Sequence, residues 1–174
     1  MSNVEFQDFS MEVKAALDSV TVAWLLEWSN EIASQAKRNC TLKKSDVGVD
    51  LRASYSTDVD EAAGVAKIGN PHEAAYWEEF GTGSYADVSK NGGKRGRQGW
   101  WVYVEGSHTP RSKQTYYNSQ EEAEAIAASM RAAGLPAHAT NGRAPSYTLE
   151  KAFLNVKPKA LRDLERKLKE KLGR

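Results

Sequence analysis

Asn70-Pro71-His72-Glu73-Ala74-Ala75-Tyr76-Trp77-Glu78-Glu79-Phe80-Gly81-Thr82-Gly83 is the stretch that organises this chain. Asn70 is a cap residue, Pro71 suits the first helical position, and Glu73 completes an arrangement like a capping box. Gly81 ends the helix, because glycine takes the left-handed conformation without steric cost. A two-turn helix with Trp77 and Phe80 on neighbouring faces is expected. Upstream, Val47, Val49, Leu51, Ala53 and Tyr55 alternate with Gly48, Asp50, Arg52 and Ser54. That period predicts a half-buried strand over 46–56. A turn near Thr57-Asp58 leads to a weaker strand over 63–69, and the two pair as a hairpin. Before them, Val13, Leu17, Val20, Trp24, Trp28 and Ile32 recur at steps of three and four. They predict one long helix over 11–38, with Ser10 as N-cap and Lys37-Arg38 at the negative end of the dipole. At 1.5 Å per residue it runs ~40 Å. Its stripe reads as core, and its surplus length is available to an interface.

Downstream, residues 84–99 form a polar loop in which Lys90, Lys94, Arg95 and Arg97 sit among Gly92, Gly93, Gly96 and Gly99. Trp100 to Glu105 reads as a strand, and Thr115-Tyr116-Tyr117 as another. Ser119-Gln120-Glu121-Glu122 is a capping box opening a helix whose Ala123, Ile126, Ala127, Met130 and Ala133 share a face, closed by Gly134 and Pro136. Residues 100–140 thus form a strand–helix–strand excursion. From Ser146 a final helix carries Leu149, Phe153, Val156, Ala160, Leu164, Leu168 and Leu172 in one stripe, with Pro158 expected to kink or split it near Lys157. The expected fold is α+β. A small antiparallel β-sheet is packed by a long N-terminal helix and a C-terminal helix, in a single domain over 1–174. Residues 84–141 are a basic loop plus an inserted strand–helix–strand element.

Composition supports a modest core. The 174 residues carry 24 basic and 23 acidic side chains, and Leu, Ile, Val and Phe together number 31, or 18%. So low a share suggests disorder when net charge is large, but here the charge is +1 and sixteen aromatics add burial area. Burial completed by partner subunits is therefore expected. No run approaches the ~18 apolar residues of a membrane span, and the polar, acidic start lacks the pattern of a secretory signal. Cys40 is the single cysteine, so an internal disulfide is impossible. The chain reads as cytosolic and soluble.

The motifs of common chemistries fail on their mechanics. His72-Glu73 begins like a zinc-protease helix, but Tyr76 stands where the second metal ligand belongs. Gly81-Thr82-Gly83-Ser84-Tyr85-Ala86 has the letters of a dinucleotide loop, without a strand before it or a helix after it. Gly92-Gly93-Lys94-Arg95 lacks the hydroxyl residue of a phosphate loop, and no serine sits in a nucleophile elbow. Glu78-Glu79 and Glu121-Glu122 are adjacent on helices and read as solvated faces. Cys40 with the scattered His72, His108 and His138 has no zinc spacing. The expectation is no enzyme, with no catalytic residue, cofactor or metal; a hydrolase gathering Asp, Glu or His from distant segments is a weaker option. The alternative with more weight is a nucleic-acid-binding module, in which the basic Gly-rich loop 90–101 contacts phosphates and Trp100 and Trp101 stack on bases. Near-neutral net charge favours a solvated loop with the tryptophans packed in the sheet.

Four segments together resemble a known family: Glu31-Ile32-Ala33-Ser34-Gln35-Ala36-Lys37, Asp46-Val47-Gly48-Val49-Asp50-Leu51-Arg52-Ala53-Ser54, Ala75-Tyr76-Trp77-Glu78-Glu79-Phe80-Gly81-Thr82-Gly83, and Arg143-Ala144-Pro145-Ser146-Tyr147-Thr148-Leu149-Glu150-Lys151-Ala152-Phe153. Their order is similar to that of the neck proteins of long-tailed bacteriophages, the head–tail joining or tail-completion family. That family shows an Asp-Thr-Gly-x-Leu strand, a Glu-Phe-Gly-Thr signature and a Pro-containing lead-in to its last helix. The resemblance covers residues 11–83 and 142–174. Val47 replaces the family's Thr, one extra residue separates Gly48 from Leu51, Tyr147 stands where Phe is usual, and Pro158 interrupts the last helix.

The resemblance implies a virion structural protein without catalytic activity, assembled in the host bacterial cytoplasm. It implies a homo-oligomeric ring, six-fold or twelve-fold, that joins the head to the tail or completes the tail top. Its neighbours would be head-closure or connector proteins and tail-terminator or tail-tube proteins, with genome DNA passing through the lumen and no membrane. A ring needs one patch meeting a different patch on the neighbour. Tyr76, Trp77, Glu79, Phe80, Gly81, Thr82, Gly83 and Tyr85 are the candidate subunit interface, since aromatics dominate interface energetics. Phe80, more than Trp77, also suits pinning the short helix to the sheet. Lys90, Lys94, Arg95 and Arg97 are candidates for contact with lumenal DNA or an acidic partner.

Overall fold

A computed structural model of the chain describes residues 10–40, 50–93, 98–107 and 114–173, with 10–17 as backbone alone. Helix α1 (Ser10–Asn39) is longer than expected and already includes Ser10. It buries Trp28, Ile32, Ala36 and, just past its end, Cys40. Strands β1 (Ser56–Asp60) and β2 (Val65–Gly69) pair antiparallel in the register Ser56↔Gly69 to Asp60↔Val65. Their inward residues face α1, and Thr57 Oγ1 donates to Asn30 Oδ1.

Of the strand expected over 46–56, residues 50–55 are not strand, Ser56 opens β1, and Asp46 to Val49 lie outside the described residues. Residues 51–54 make a helical turn instead, because the Asp50 side chain accepts from Ala53 N–H and its carbonyl accepts from Ser54 N–H and Oγ. Aspartate's own hydrogen bonding competes with a ladder in this way. Leu51 and Tyr55 are nevertheless buried. Residues four apart share a face both in a strand and in a turn of helix, so the alternation marked burial and misread conformation. The bend of the hairpin falls at residues 61–64, where Gly64 has φ +63, rather than at Thr57-Asp58.

Helix α2 (Glu73–Phe80) begins one residue after His72, not at Asn70. The Asn70 side chain turns back to accept from His72 N–H and donates to Leu51 O, so it ties the loop to the 51–54 turn instead of capping. Gly81 ends the helix at φ 75. Beyond it β3 (Thr82–Gly83) pairs with β7 (Gly142–Arg143), a contact nothing in the local pattern announces. Between them β4 (Trp100–Val104) lies centrally in a three-stranded antiparallel sheet with β5 (Tyr116–Tyr117) and β6 (Ala137–Thr140). Helix α3 (Gln120–Ala132) packs on that sheet through Ala123 and Ala127; Ile126 and Ala133, expected on the same face, are exposed. The class is α+β with antiparallel strands, as expected, but the strands form three small sheets rather than one.

Helix α4 (Thr148–Lys171) runs antiparallel along α1. It is not split at Pro158; both Pro158 and Leu154, whose carbonyl loses its helical donor there, are exposed residues on the solvent side of the helix. Its buried stripe also differs from expectation. Ala152, Val156 and Ala160 face α1, while Phe153 and Leu172 point outward and Leu164 and Leu168 are half-buried. The cause is on α1. Trp24 and Trp28 are large, and the Trp24 indole N–H reaches the Ala160 carbonyl at 2.8 Å, a close approach that small residues on α4 permit. Trp28 N–H donates to Asp163 Oδ2 at 2.9 Å, and Lys167 pairs with both Glu27 and Asp163.

Candidate interface at the junction of helices α2 and α4

The short helix and the glycine-rich turn after it join three distant parts of the chain. Glu79 is the central residue. Its carboxylate accepts from Leu149 N–H at 2.7 Å and Glu150 N–H at 2.9 Å, so it caps the N-terminus of α4 across 70 residues of sequence. Free N–H groups and the positive end of the helix dipole make that position favourable for an anion. The carbonyls of Glu78 and Glu79 accept from Ser146 and Tyr147 N–H. The turn beyond is as close. A Cβ on Gly81 would lie 2.7 Å from Arg143 O, and one on Gly83 would lie 2.0 Å from Asn141 O. Only glycine lets these two backbones touch.

Beneath this joint Glu78 is fully buried. Cys40 Sγ–H donates to its Oε2 at 3.1 Å, and Arg143 stands 3.8 Å from its Oε1. Tyr55 lies close by, and its hydroxyl is pushed well above the usual phenol range, first by burial and then by its neighbours Cys40, Glu78 and Glu79. Asn39 completes the joint by donating to Thr148 O. Read as a solvated face, Glu78 is in fact the most enclosed carboxylate described, and Glu79 is spent on the cap.

Tyr147, the residue before α4, is the sole described non-glycine residue at positive φ, 50°. Its hydroxyl donates to Asp87 Oδ2 at 2.8 Å and is held above the ordinary phenol value chiefly by that carboxylate. Lys90 Nζ lies 2.6 Å from Glu150 and 4.6 Å above the Tyr147 ring, and the Glu150 hydrogen bond raises its pKa. Loop 84–93 is thereby fastened to the start of α4. Tyr76 adds a bond from its hydroxyl to Asn91 O.

The expected interface residues are therefore brought together in sequence order but divided in role. Tyr76, Glu79 and Phe80 line a cleft of about 720 Å³, walled also by Ile68 of β2 and by Leu149 and Phe153 of α4. Tyr76 packs on Phe80 at 5.0 Å and edge-on to Trp77 at 4.9 Å. Trp77 is half-buried with its N–H on Glu73, and Tyr85 is 53% exposed. Gly81, Thr82 and Gly83 are enclosed by the β3–β7 pair, so they hold the patch and do not present it. Among the DNA or acidic-partner candidates, Lys90 is engaged with Glu150, and Lys94, Arg95 and Arg97 lie outside the described residues. Trp101 is 4% exposed and packs on Tyr116, which fits the sheet-packing reading.

Sequence reading missed Asp87, Tyr147, Leu149 and Phe153 as partners of this patch. The signal was there in part: Arg143-Ala144-Pro145-Ser146-Tyr147 was singled out, but nothing local told which segment it would meet. Among the described residues no helix is long and apolar enough to cross a membrane. Set against known proteins, the chain matches no family model, no curated protein and no solved structure.

Proposed function

We propose that this chain is a structural protein of a phage neck, working as a ring of identical subunits between head and tail. The observation that carries the reading is the α2–α4 joint. Two of the four segments that resemble the neck family meet there through the Glu79–Leu149 bond, and Asn39 and Cys40, just past the end of a third, reach them at Thr148 and Glu78. The Glu-Phe-Gly-Thr-Gly run has a clear physical job in that joint: a carboxylate cap and two glycines that let backbones meet. Rigid joining of helices suits a part that transmits load and binds neighbours through its outer aromatic residues, Trp77 and Tyr85. In this reading it performs no catalysis and needs no cofactor or metal. Lys94, Arg95 and Arg97 are the proposed contacts for lumenal DNA or an acidic partner ring.

Native mass spectrometry of the purified protein, alone and with virion extracts, tests the reading. A closed homo-oligomer and a place in purified particles are expected. A protein that is monomeric at every concentration and absent from particles would sink it. Trp77→Ala is expected to leave a folded chain that no longer assembles; an insoluble product would instead assign Trp77 to the core.

A further inference from the structure

Helix α4 carries two apolar faces, and one of them is turned to solvent. Ala152, Val156 and Ala160 are turned inward. Roughly opposite, Leu154, Leu161 and Leu172 are 56%, 50% and 49% exposed, with half-buried Leu168 completing a run of leucines at intervals of seven, seven and four. At 1.5 Å per residue that stripe extends ~27 Å. Soluble helices place leucine inward and small or charged residues outward, so a second leucine stripe marks a face that something covers.

Charge indicates what covers it. Residues 157–174 hold eight basic and three acidic side chains, a local +5. Among the described residues Lys157, Arg162 and Lys171, which flank the stripe, are in no ion pair. Two α4 helices facing each other would set Lys157, Arg162 and Lys171 against their own copies, so a symmetric pairing through this face is disfavoured. An acidic counterpart exists on the same chain. The β1–β2 hairpin turns outward Asp58, Asp60 and Glu61, against a single Lys67, together with Val65 at 46% exposed and Ala62 and Ala63 at the bend.

We infer that the leucine stripe of α4 is the seat for the acidic β1–β2 hairpin of a second copy of this chain. The contact is heterologous: stripe to hairpin, each copy offering both, which is the arrangement that propagates around a ring. It rests on the ring reading above and adds a second subunit contact beside the aromatic one. A strip ~27 Å long and about one helix wide is smaller than the ~800 Å² per partner of a stable pair. A single contact therefore gives weak association, and closure of the ring strengthens it by holding neighbours at high effective concentration.

The test is sedimentation equilibrium of the full chain over a range of concentrations and salt. Leu161→Glu, at an exposed helix position, is expected to weaken self-association at least ~tenfold while circular dichroism stays unchanged. Glu61→Lys, chosen because Asp60 Oδ1 accepts from Ala63 N–H and so holds the bend, is expected to weaken it several-fold. Combining Glu61→Lys with Arg162→Glu should restore association. Loss with Leu161→Glu but none with Glu61→Lys, or no rescue in the double variant, overturns the hairpin as occupant. Association untouched by either single change overturns the stripe while leaving a homo-oligomer in place. A monomer at every concentration overturns the inference and the ring together. Assembly through this pair in a protein absent from particles refutes the neck reading and keeps the pairing.

Discussion

Helices α3 and α4 begin in opposite ways. In α3, Ser119 Oγ accepts from Glu122 N–H and the Glu122 carboxylate reaches back to Asn118 N–H, so the cap is built from neighbours within four residues. In α4, the residue in the cap position is Tyr147 in a left-handed conformation with no side-chain cap bond, and the anion comes from Glu79 of another helix. One helix can start wherever its sequence is placed. The other has its first N–H groups satisfied by α2, so the start of α4 depends on tertiary contact.

The contrast is broken most severely at the glycines. Gly83→Ala puts a Cβ 2.0 Å from Asn141 O at φ 60, and at least about 3 kcal/mol of stability should be lost. Gly134→Ala, just after α3, meets nothing within 4 Å at φ 83, and only the conformational cost of about 1 kcal/mol is expected. Equal denaturation midpoints for the two variants would erase the distinction. Next in size, Glu79→Ala strands two N–H groups at the start of α4; a loss of about 2 kcal/mol, or ~4–8 °C in melting, should follow. Hydrogen exchange should then show loosened amides at Leu149 and Glu150 and no change in α3. Ser119→Ala should cost about 1 kcal/mol, confined to α3, and a matching loosening of α4 would refute the separation.

The smallest effect concerns pH. Trp28 N–H above all, and then Lys167 and Arg166, hold the Asp163 carboxyl well below the ordinary carboxylate range. A depressed folded-state pKa contributes stability that is present above the unfolded value of about 4 and is lost as pH falls below it. The melting deficit of Asp163→Asn should therefore shrink between pH 5 and about pH 2. A constant deficit across that range would show that the carboxylate's charge is irrelevant to the α1–α4 contact.

What could be read without coordinates follows the same divide. The capping box of α3, the glycine stop of α2, the second strand of the hairpin and the long α1 with Trp28, Ile32 and Ala36 inside all rest on residues within one turn or one strand of each other, whereas the hairpin's first strand, expected over 46–56, forms at Ser56–Asp60. The failures are long-range. Nothing near Glu79 shows that it faces α4, nothing near Gly83 shows Asn141, and the rotation of α4 depends on the size of Trp24 and Trp28 across the helix pair. Within the candidate patch and the loop after it, side chains take their jobs from partners 60 to 71 residues away.

Cys40 is 2% exposed, hydrogen-bonded to Glu78 and unique in the chain, at the point where α1, α2 and α4 meet. A thiol-specific dye can reach it only when that meeting point comes apart. The molecule thus carries its own stopwatch: the labelling rate counts opening events at the joint, and a subunit locked among its neighbours should tick more slowly than one alone.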